Sequence, residues 1–306
     1  MKTTSRLIRH FSALAALLSF ALPAVMQAQI GNRLNEDFDS GISANWKQIE
    51  NTREAVTSSS TPTSLLAGTG GALRYLTTQH SAKNGVNYSQ LTESTYLSKG
   101  DSLTLNFDFQ GTETAYKSNS GNYFTFGLLG STTSTFSIAD TFGYGISTRL
   151  EEDSRSATTA PIAQVMNGTV RGTTTFTANG SDSVGTAFST NGTNRTDHLS
   201  FSFSITRMAD DGLLLKTVFT NVTDNVSFVR TYSVAADALQ NKDDDPYTFD
   251  AVFIGYYRAG SDNGTIFDID NVTVTYTSAI PEPATVALLL GFGGLLGVFV
   301  WRRARR

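Results

Sequence analysis

With 306 residues, no cysteine and a net charge of −4 from only 16 % charged residues, the chain has no disulfides and no thiol chemistry. It also lacks the basic surplus that phosphate binding demands, so nucleic acid is set aside as a partner. Charged residues fall well short of the ~25 % of an ordinary soluble domain; Ser, Thr, Asn and Gly take their place, giving a neutral surface that suits a sugar-rich surrounding and equally any secreted β protein.

The chain opens on Lys2, Arg6 and Arg9, an apolar run from Phe11 to Leu22, and the small residues Ala24 and Ala28. That order is the order of a secretory signal peptide. Residues 1–28 are read as that signal, cut after Ala28, although Met26 is large for its place three residues before the cut. The run is short for a retained membrane helix.

Residues 29–279 form the body, long enough to bury a core as one all-β domain. Near its start stand Asn35-Glu36-Asp37-Phe38-Asp39-Ser40-Gly41 and Trp46. Residues 57–71 are rich in Ser, Thr and Gly, without clear periodicity. Ser102 to Gln110 (SLTLNFDFQ) then places Leu103, Leu105, Phe107 and Phe109 on one face, and Leu199 to Arg207 does the same with Leu199, Phe201, Phe203 and Ile205. A period of two over such lengths predicts half-buried strands. Tyr123 to Leu129, Leu213 to Thr220, Val226 to Tyr232, Phe249 to Tyr257 and Ile266 to Tyr276 are further strands. Asp210-Asp211-Gly212 is a hairpin turn with glycine supplying the positive φ. Residues 168–195 hold weak strands and long loops. Ala235 to Gln240 is the one short helical stretch, and Asp243-Asp244-Asp245-Pro246 ends it. The sum predicts an antiparallel β-sandwich with one face of each sheet buried.

In Ile266 to Tyr276 the apolar parity shifts: Phe267 and Ile269 are odd, Val272, Val274 and Tyr276 even. Either a bulge lies near Asp270-Asn271, or Asp268 and Asp270 point inward and need a partner. A structural calcium ion bound by Asp37, Asp39, Asp268 and Asp270 is one such partner, because calcium takes six to eight oxygens of this kind. Solvated aspartates at a strand edge are the other reading. The layout of the body, with its Asn-x-x-Phe-Asp-x-Gly stretch and its Phe267-Asp268-Ile269-Asp270-Asn271-Val272 strand, resembles concanavalin-A-like lectin and glucanase sandwiches and also carbohydrate-binding jelly rolls. The resemblance implies that the first and last strands pair. Glucanases of that class carry Glu-x-Asp-x-x-Glu on one strand; this chain has no glutamate there, so hydrolysis is not expected. His80 and His198 lie in no catalytic motif, Glu151-Glu152-Asp153 reads as a loop, and no G-x-S-x-G elbow is present. No catalytic residue is assigned.

Residues 280–306 are read as a sorting tail: Pro281-Glu282-Pro283, an uncharged apolar run at 284–301, and a basic end, 302–306, with Arg302, Arg303, Arg305 and Arg306. The run of roughly 18 residues is about 27 Å long as a helix, enough for a bilayer core. Arginines after it stay cytoplasmic and leave the body outside. Gly293 and Gly297 are either a helix-packing pair or glycine scatter. This tripartite tail resembles the PEP-CTERM sorting signal of Gram-negative, biofilm-forming bacteria. The resemblance implies that a multi-pass membrane enzyme, exosortase, recognises Pro281, Glu282 and Pro283 and delivers the body to the envelope, the surface or the extracellular matrix. The expected role is a non-catalytic surface or extracellular-matrix protein, either one that binds a glycan such as exopolysaccharide or a purely structural one; the alternative is a secreted glycoside hydrolase or lyase on the same sandwich.

Overall fold

The computed structural model describes residues 29–48, 56–61, 64–66, 70–77, 83–111, 123–131, 141–148, 162–165, 197–239, 245–258, 266–279 and 302–303. The chain divides into two compact units, Asn32–Tyr276 and a second made of Met1–Gly31 with Thr277–Arg306. In the second unit Arg302 and Arg303 are exposed.

Fourteen strands are described, in two antiparallel sheets. The first sheet runs β12 (Val226–Val234), β11 (Leu213–Asn221), β10 (Leu199–Arg207), β6 (Ser102–Gly111), β14 (Ile266–Ser278), β4 (Ala72–Thr77), β3 (Val56–Thr61), and β1 (Gln29–Glu36) also pairs with β14. The second runs β2 (Trp46–Gln48), β5 (Lys83–Tyr96), β13 (Thr248–Arg258), β7 (Tyr123–Ser131), β8 (Thr141–Thr148), β9 (Ile162–Val165). The expected all-β, antiparallel architecture is what the chain adopts, and its first and last strands do pair. Residues 57–71 contain one of the strands, β3, whose sequence VTSSST has almost no apolar weight; its register against β4 is what identifies it.

The clean alternation of β6 and β10 appears directly as alternating burial. Between the sheets, Phe107, Phe201 and Phe219 of the first sheet close around Phe126 of the second. Phe107 lies 5.0 Å from Phe126, centroid to centroid, and Phe201 5.3 Å from it. Edge-on aromatic contacts at such distances add about 0.5–1.5 kcal/mol each beyond the area they bury. Polar contact also crosses the core: the fully buried Tyr75 hydroxyl donates to Ile254 O at 3.0 Å.

The second sheet departs from the expected single buried face. Thr125–Gly130 of β7, Thr141–Ile146 of β8 and Ala251–Gly255 of β13 are buried at every position. On the face away from the main core, Val86, Leu129, Ala251 and Phe253 form a small second cluster. Gly127 and Gly145 are cross-strand partners, and a Cβ on either would stand within 2.8 Å of the Phe253 ring. Glycine here makes room for an aromatic ring laid on the sheet.

Two local expectations change. The β10–β11 turn takes its positive φ at Asp211 (66°) rather than at Gly212; aspartate tolerates the left-handed region better than most residues. The short helical stretch is a single 3-10 turn, Ala236–Ala238. Residues 168–195, His80, Glu151-Glu152-Asp153 and residues 243–244 lie outside the described residues.

Candidate functional site

The carboxylates singled out from sequence sit where the first and last strands meet. β14 contains the bulge: Asn271 has φ 54°, and Ile269 before it and Val272 after it both enter the core. Asp268 is opposite Arg74 of β4 in register, and Leu73 and Tyr75 flank Arg74 inside the core. Asp268 therefore shares the outer face with Arg74, yet it is fully buried. The Leu65 N–H donates to Asp268 Oδ2 at 2.7 Å.

The cation that a buried carboxylate requires is Arg74. Its Nε donates to Oδ1 and its Nη2 to Oδ2, each at 2.7 Å, in a two-pronged pair. The hydrogen bond to Asp268 raises the Arg74 pKa above its ordinary value, against the opposing effect of burial. Asp270 is also buried, and its Oδ1 accepts the Asn271 N–H at 2.7 Å.

Asp39 also receives a backbone amide: its Oδ1 accepts the Gly71 N–H at 2.6 Å. The approach is so close that a Cβ on Gly71 would stand 2.2 Å from Phe38 O. Phe38 itself has φ 55° and is buried against Trp46, ring centroids 5.6 Å apart. Asp37 is exposed, and its Oδ1 accepts the Asp39 N–H at 3.1 Å. Asp268 and Asp39 thus accept the backbone amides of Leu65 and Gly71, respectively. Among the described residues no group of three or more His, Asp or Glu side chains is placed to hold a metal ion.

His198 lies with Nε2 3.4 Å from Asp108 Oδ1, an ion pair only when the imidazole is protonated. Asp108 also accepts from Asn271 Nδ2 at 3.0 Å.

A second polar constellation had no sequence signal. At one end of the sandwich the β5–β6 turn, the β10–β11 turn and the start of β13 meet at the seam between the sheets. Leu97 N donates to Tyr247 O at 3.0 Å and Gly100 N to Arg207 O at 2.8 Å. The Arg207 guanidinium lies 3.6 Å from the Tyr247 ring centroid and 5.6 Å from that of Tyr96. Its Nη1 donates to the Tyr96 hydroxyl at 2.7 Å and to Leu97 O at 3.0 Å, and its Nη2 to Asp211 Oδ1 at 2.7 Å. Lys99 Nζ donates to Asp211 Oδ2 at 2.9 Å and to Ala209 O at 3.0 Å. The bonds from Lys99 and Arg207 hold the Asp211 carboxyl below its ordinary range. Burial lowers the Arg207 pKa, but its bonds to Asp211 and Tyr96 leave it raised. These groups come from positions 96–101, 207–211 and 247; only the strand order brings them together.

Pro281, Glu282, Pro283, the apolar run 284–301, Arg305 and Arg306 lie outside the described residues, as does the signal segment 1–28. Among the described residues no helix is long and apolar enough to cross a membrane.

Residues 279–306 match the family model of the PEP-CTERM protein-sorting motif. No curated protein matches the chain. Among solved structures the chain is similar to the lectin UEA-II complexed with galactose, at 11 % identity over 82 % of this chain and 99 % of that one, with a TM-score of 0.44. It is similar to a lectin from Bauhinia forficata in complex with GalNAc, at 12 % identity over 83 % and 100 %, TM-score 0.41. It is also similar to a Lotus tetragonolobus seed lectin, at 9 % identity over 81 % and 98 %, TM-score 0.41. The C-terminal segment is a PEP-CTERM sorting motif, as its residues suggested.

Proposed function

We propose that this chain is an exported protein, delivered to the cell surface or extracellular matrix through its C-terminal motif, which binds a polysaccharide without cleaving it. The observation that carries the export is the sorting motif at residues 279–306. In this reading residues 284–301 form a transmembrane helix, Arg302 to Arg306 stay on the cytoplasmic side, and exosortase acts at Pro281-Glu282-Pro283 in a Gram-negative envelope. The destination is a biofilm matrix rich in exopolysaccharide.

The geometry of the body favours binding over hydrolysis. Glycoside hydrolysis needs two carboxyl groups facing one another across a sugar, roughly 5–10 Å apart, one of them able to give up a proton. Asp268, on the strand that lacks the glucanase glutamates, is buried and held by both prongs of Arg74. Meanwhile the outer face of β6 and β10 presents Thr104, Asn106, Ser200, Ser202, Ser204 and Thr206, partly exposed, a field of hydroxyl and amide groups with little charge.

Fractionation of the native host, with mass analysis of the surface-extracted protein, tests the export. The expected form begins at Gln29 and has lost residues 284–306. Full-length protein in the cytosol would overturn the reading. Structural calcium at Asp37, Asp39, Asp268 and Asp270 is a separable proposal. The pairing of the first and last strands supports it, and the ion pair from Arg74 to Asp268 weighs against it. A melting temperature raised by calcium and restored by a chelator, with the rise abolished in Asp39→Asn, is the result it requires.

A further inference from the structure

We infer that Tyr96, Lys99 and Asp211 form a sugar-binding subsite at the seam between the two sheets, and that it takes a neutral pyranose unit of a polysaccharide. The inference rests on the glycan-binding reading above and gives that reading a place on the molecule.

Tyr96 is 51 % exposed, and it is the one aromatic among the exposed large hydrophobic residues described. Its exposure is not that of a free side chain. The hydroxyl is held by Arg207 at 2.7 Å, and the ring stands edge-on to Tyr247 at 6.3 Å. Arg207 in turn is fixed: its side chain is 12 % exposed, and it is stacked on Tyr247 and bonded to Leu97 O and Asp211. A staple joining three turns accounts for Arg207 and Tyr247, whose hydroxyl donates to Asp211 O at 2.8 Å. It leaves the open face of Tyr96 without a role. A rigid apolar ring face in water is already ordered for stacking, so little freedom is lost on binding. The C–H face of a pyranose is the apolar surface that such a ring accepts, with polar groups needed at its rim.

Those rim groups are present. The Lys99 and Asp211 side chains are 51 % and 40 % exposed. An ammonium has three donors, and Lys99 uses two, on Asp211 Oδ2 and Ala209 O. A carboxylate accepts at about four sites, and Asp211 receives two bonds. One donor therefore remains on Lys99 and two acceptor sites on Asp211, a set that matches a pair of adjacent sugar hydroxyls. One guanidinium bonds both Tyr96 and Asp211, so ring and carboxylate are held at a fixed spacing. Lys99 and Arg207 stand against Asp210 and Asp211, and the carboxylates of Asp101 and Asp245 lie in the same turns. Among the described residues the seam has no positive surplus to attract a uronate or phosphate, and the ligand is accordingly neutral.

Affinity electrophoresis tests this, with the full-length chain in detergent run through gels holding a soluble β-glucan, a galactomannan or alginate. The wild-type chain is retarded by a neutral polysaccharide more than by alginate. Tyr96→Ala weakens that retardation about tenfold, Lys99→Ala weakens it by several-fold, and Tyr96→Phe, which keeps the ring, stays within about threefold of wild type. Lys99→Ala alters an exposed side chain and keeps the comparison valid if Tyr96→Ala fails to fold. Wild-type retardation that both Tyr96→Ala and Lys99→Ala leave unchanged would place the sugar elsewhere and sink this site alone. Retardation by alginate only would overturn the neutral ligand. Retardation by none of the three would remove the glycan-binding reading and the site with it.

Discussion

Replacing Arg74 by Met is the substitution whose effect the structure specifies most fully. Arg74→Met keeps the aliphatic stem and removes the guanidinium. Asp268, fully buried, then loses two bonds of 2.7 Å and retains the Leu65 N–H among its described donors. Were the pair exposed, its loss would matter by about 0–1 kcal/mol. Removing one partner of a buried pair instead costs about 3–5 kcal/mol, because the remaining charge has no water to return to. Arg74 is itself 26 % exposed, which places the expectation toward the lower end, about 3 kcal/mol. For a domain of this size each kcal/mol moves the melting temperature by about 2–4 °C, so a fall of roughly 6–12 °C is expected. The assay is thermal unfolding of the full-length chain in detergent, alongside Arg74→Met combined with Asp268→Leu. The double variant removes the charge together with its partner and is expected to be more stable than Arg74→Met alone. A single variant within 1 kcal/mol of wild type, or a double variant worse than the single by the full cost of Asp268→Leu, would refute the argument that Arg74 is the compensating charge.

Gly71→Ala forces a Cβ to within 2.2 Å of Phe38 O; overpacking against backbone costs about 1–3 kcal/mol, read by urea unfolding, and an unchanged midpoint would show that the approach at Phe38 relaxes freely. The depressed Asp211 pKa gives a pH dependence with a definite sign. Its bonds to Lys99 and Arg207 contribute stability that is present above the ordinary aspartate value of about 3.9 and is lost as pH falls through the lower folded value. The melting temperature of wild type therefore falls more steeply below pH 4 than that of Asp211→Asn, and parallel curves would contradict it. In the native host, Pro281→Ala with Glu282→Gln leaves the motif unrecognised, so a heavier, membrane-retained form accumulates on immunoblots; normal processing of that variant would separate the tail from its assigned enzyme.

Much of this architecture is legible in the residues. β6 and β10 declare themselves because one face is wet and the other dry, which is the condition for strict alternation. β7 and β8 lie in a sheet buried on both faces, and alternation is lost where burial is continuous; the glycines that admit Phe253 lower the apolar signal further. β3 is held by its ladder to β4 and by nothing its side chains announce. The parity shift at Asp270-Asn271 left two readings open, a bulge or inward-pointing aspartates; the chain takes a positive φ at Asn271, and Asp268 lies opposite Arg74 on the outer face. The pairing of Asp268 with Arg74 was beyond reach. Arg74 is 194 residues away in the chain, and only the antiparallel register of β4 against β14 puts the two side by side. The seam around Arg207 was hidden for the same reason: Tyr96, Arg207 and Tyr247 are ordinary residues at strand ends until three turns converge.

The measurement that bears most directly on the central claim is retention of the full-length chain on immobilised polysaccharides, including exopolysaccharide from the host, with the eluate examined for released sugars. The account predicts retention on at least one polysaccharide and no soluble product over prolonged incubation. Soluble oligosaccharides would contradict it and make the body a hydrolase or lyase; failure to bind any of them would leave a sorted surface protein whose body has a purely structural task.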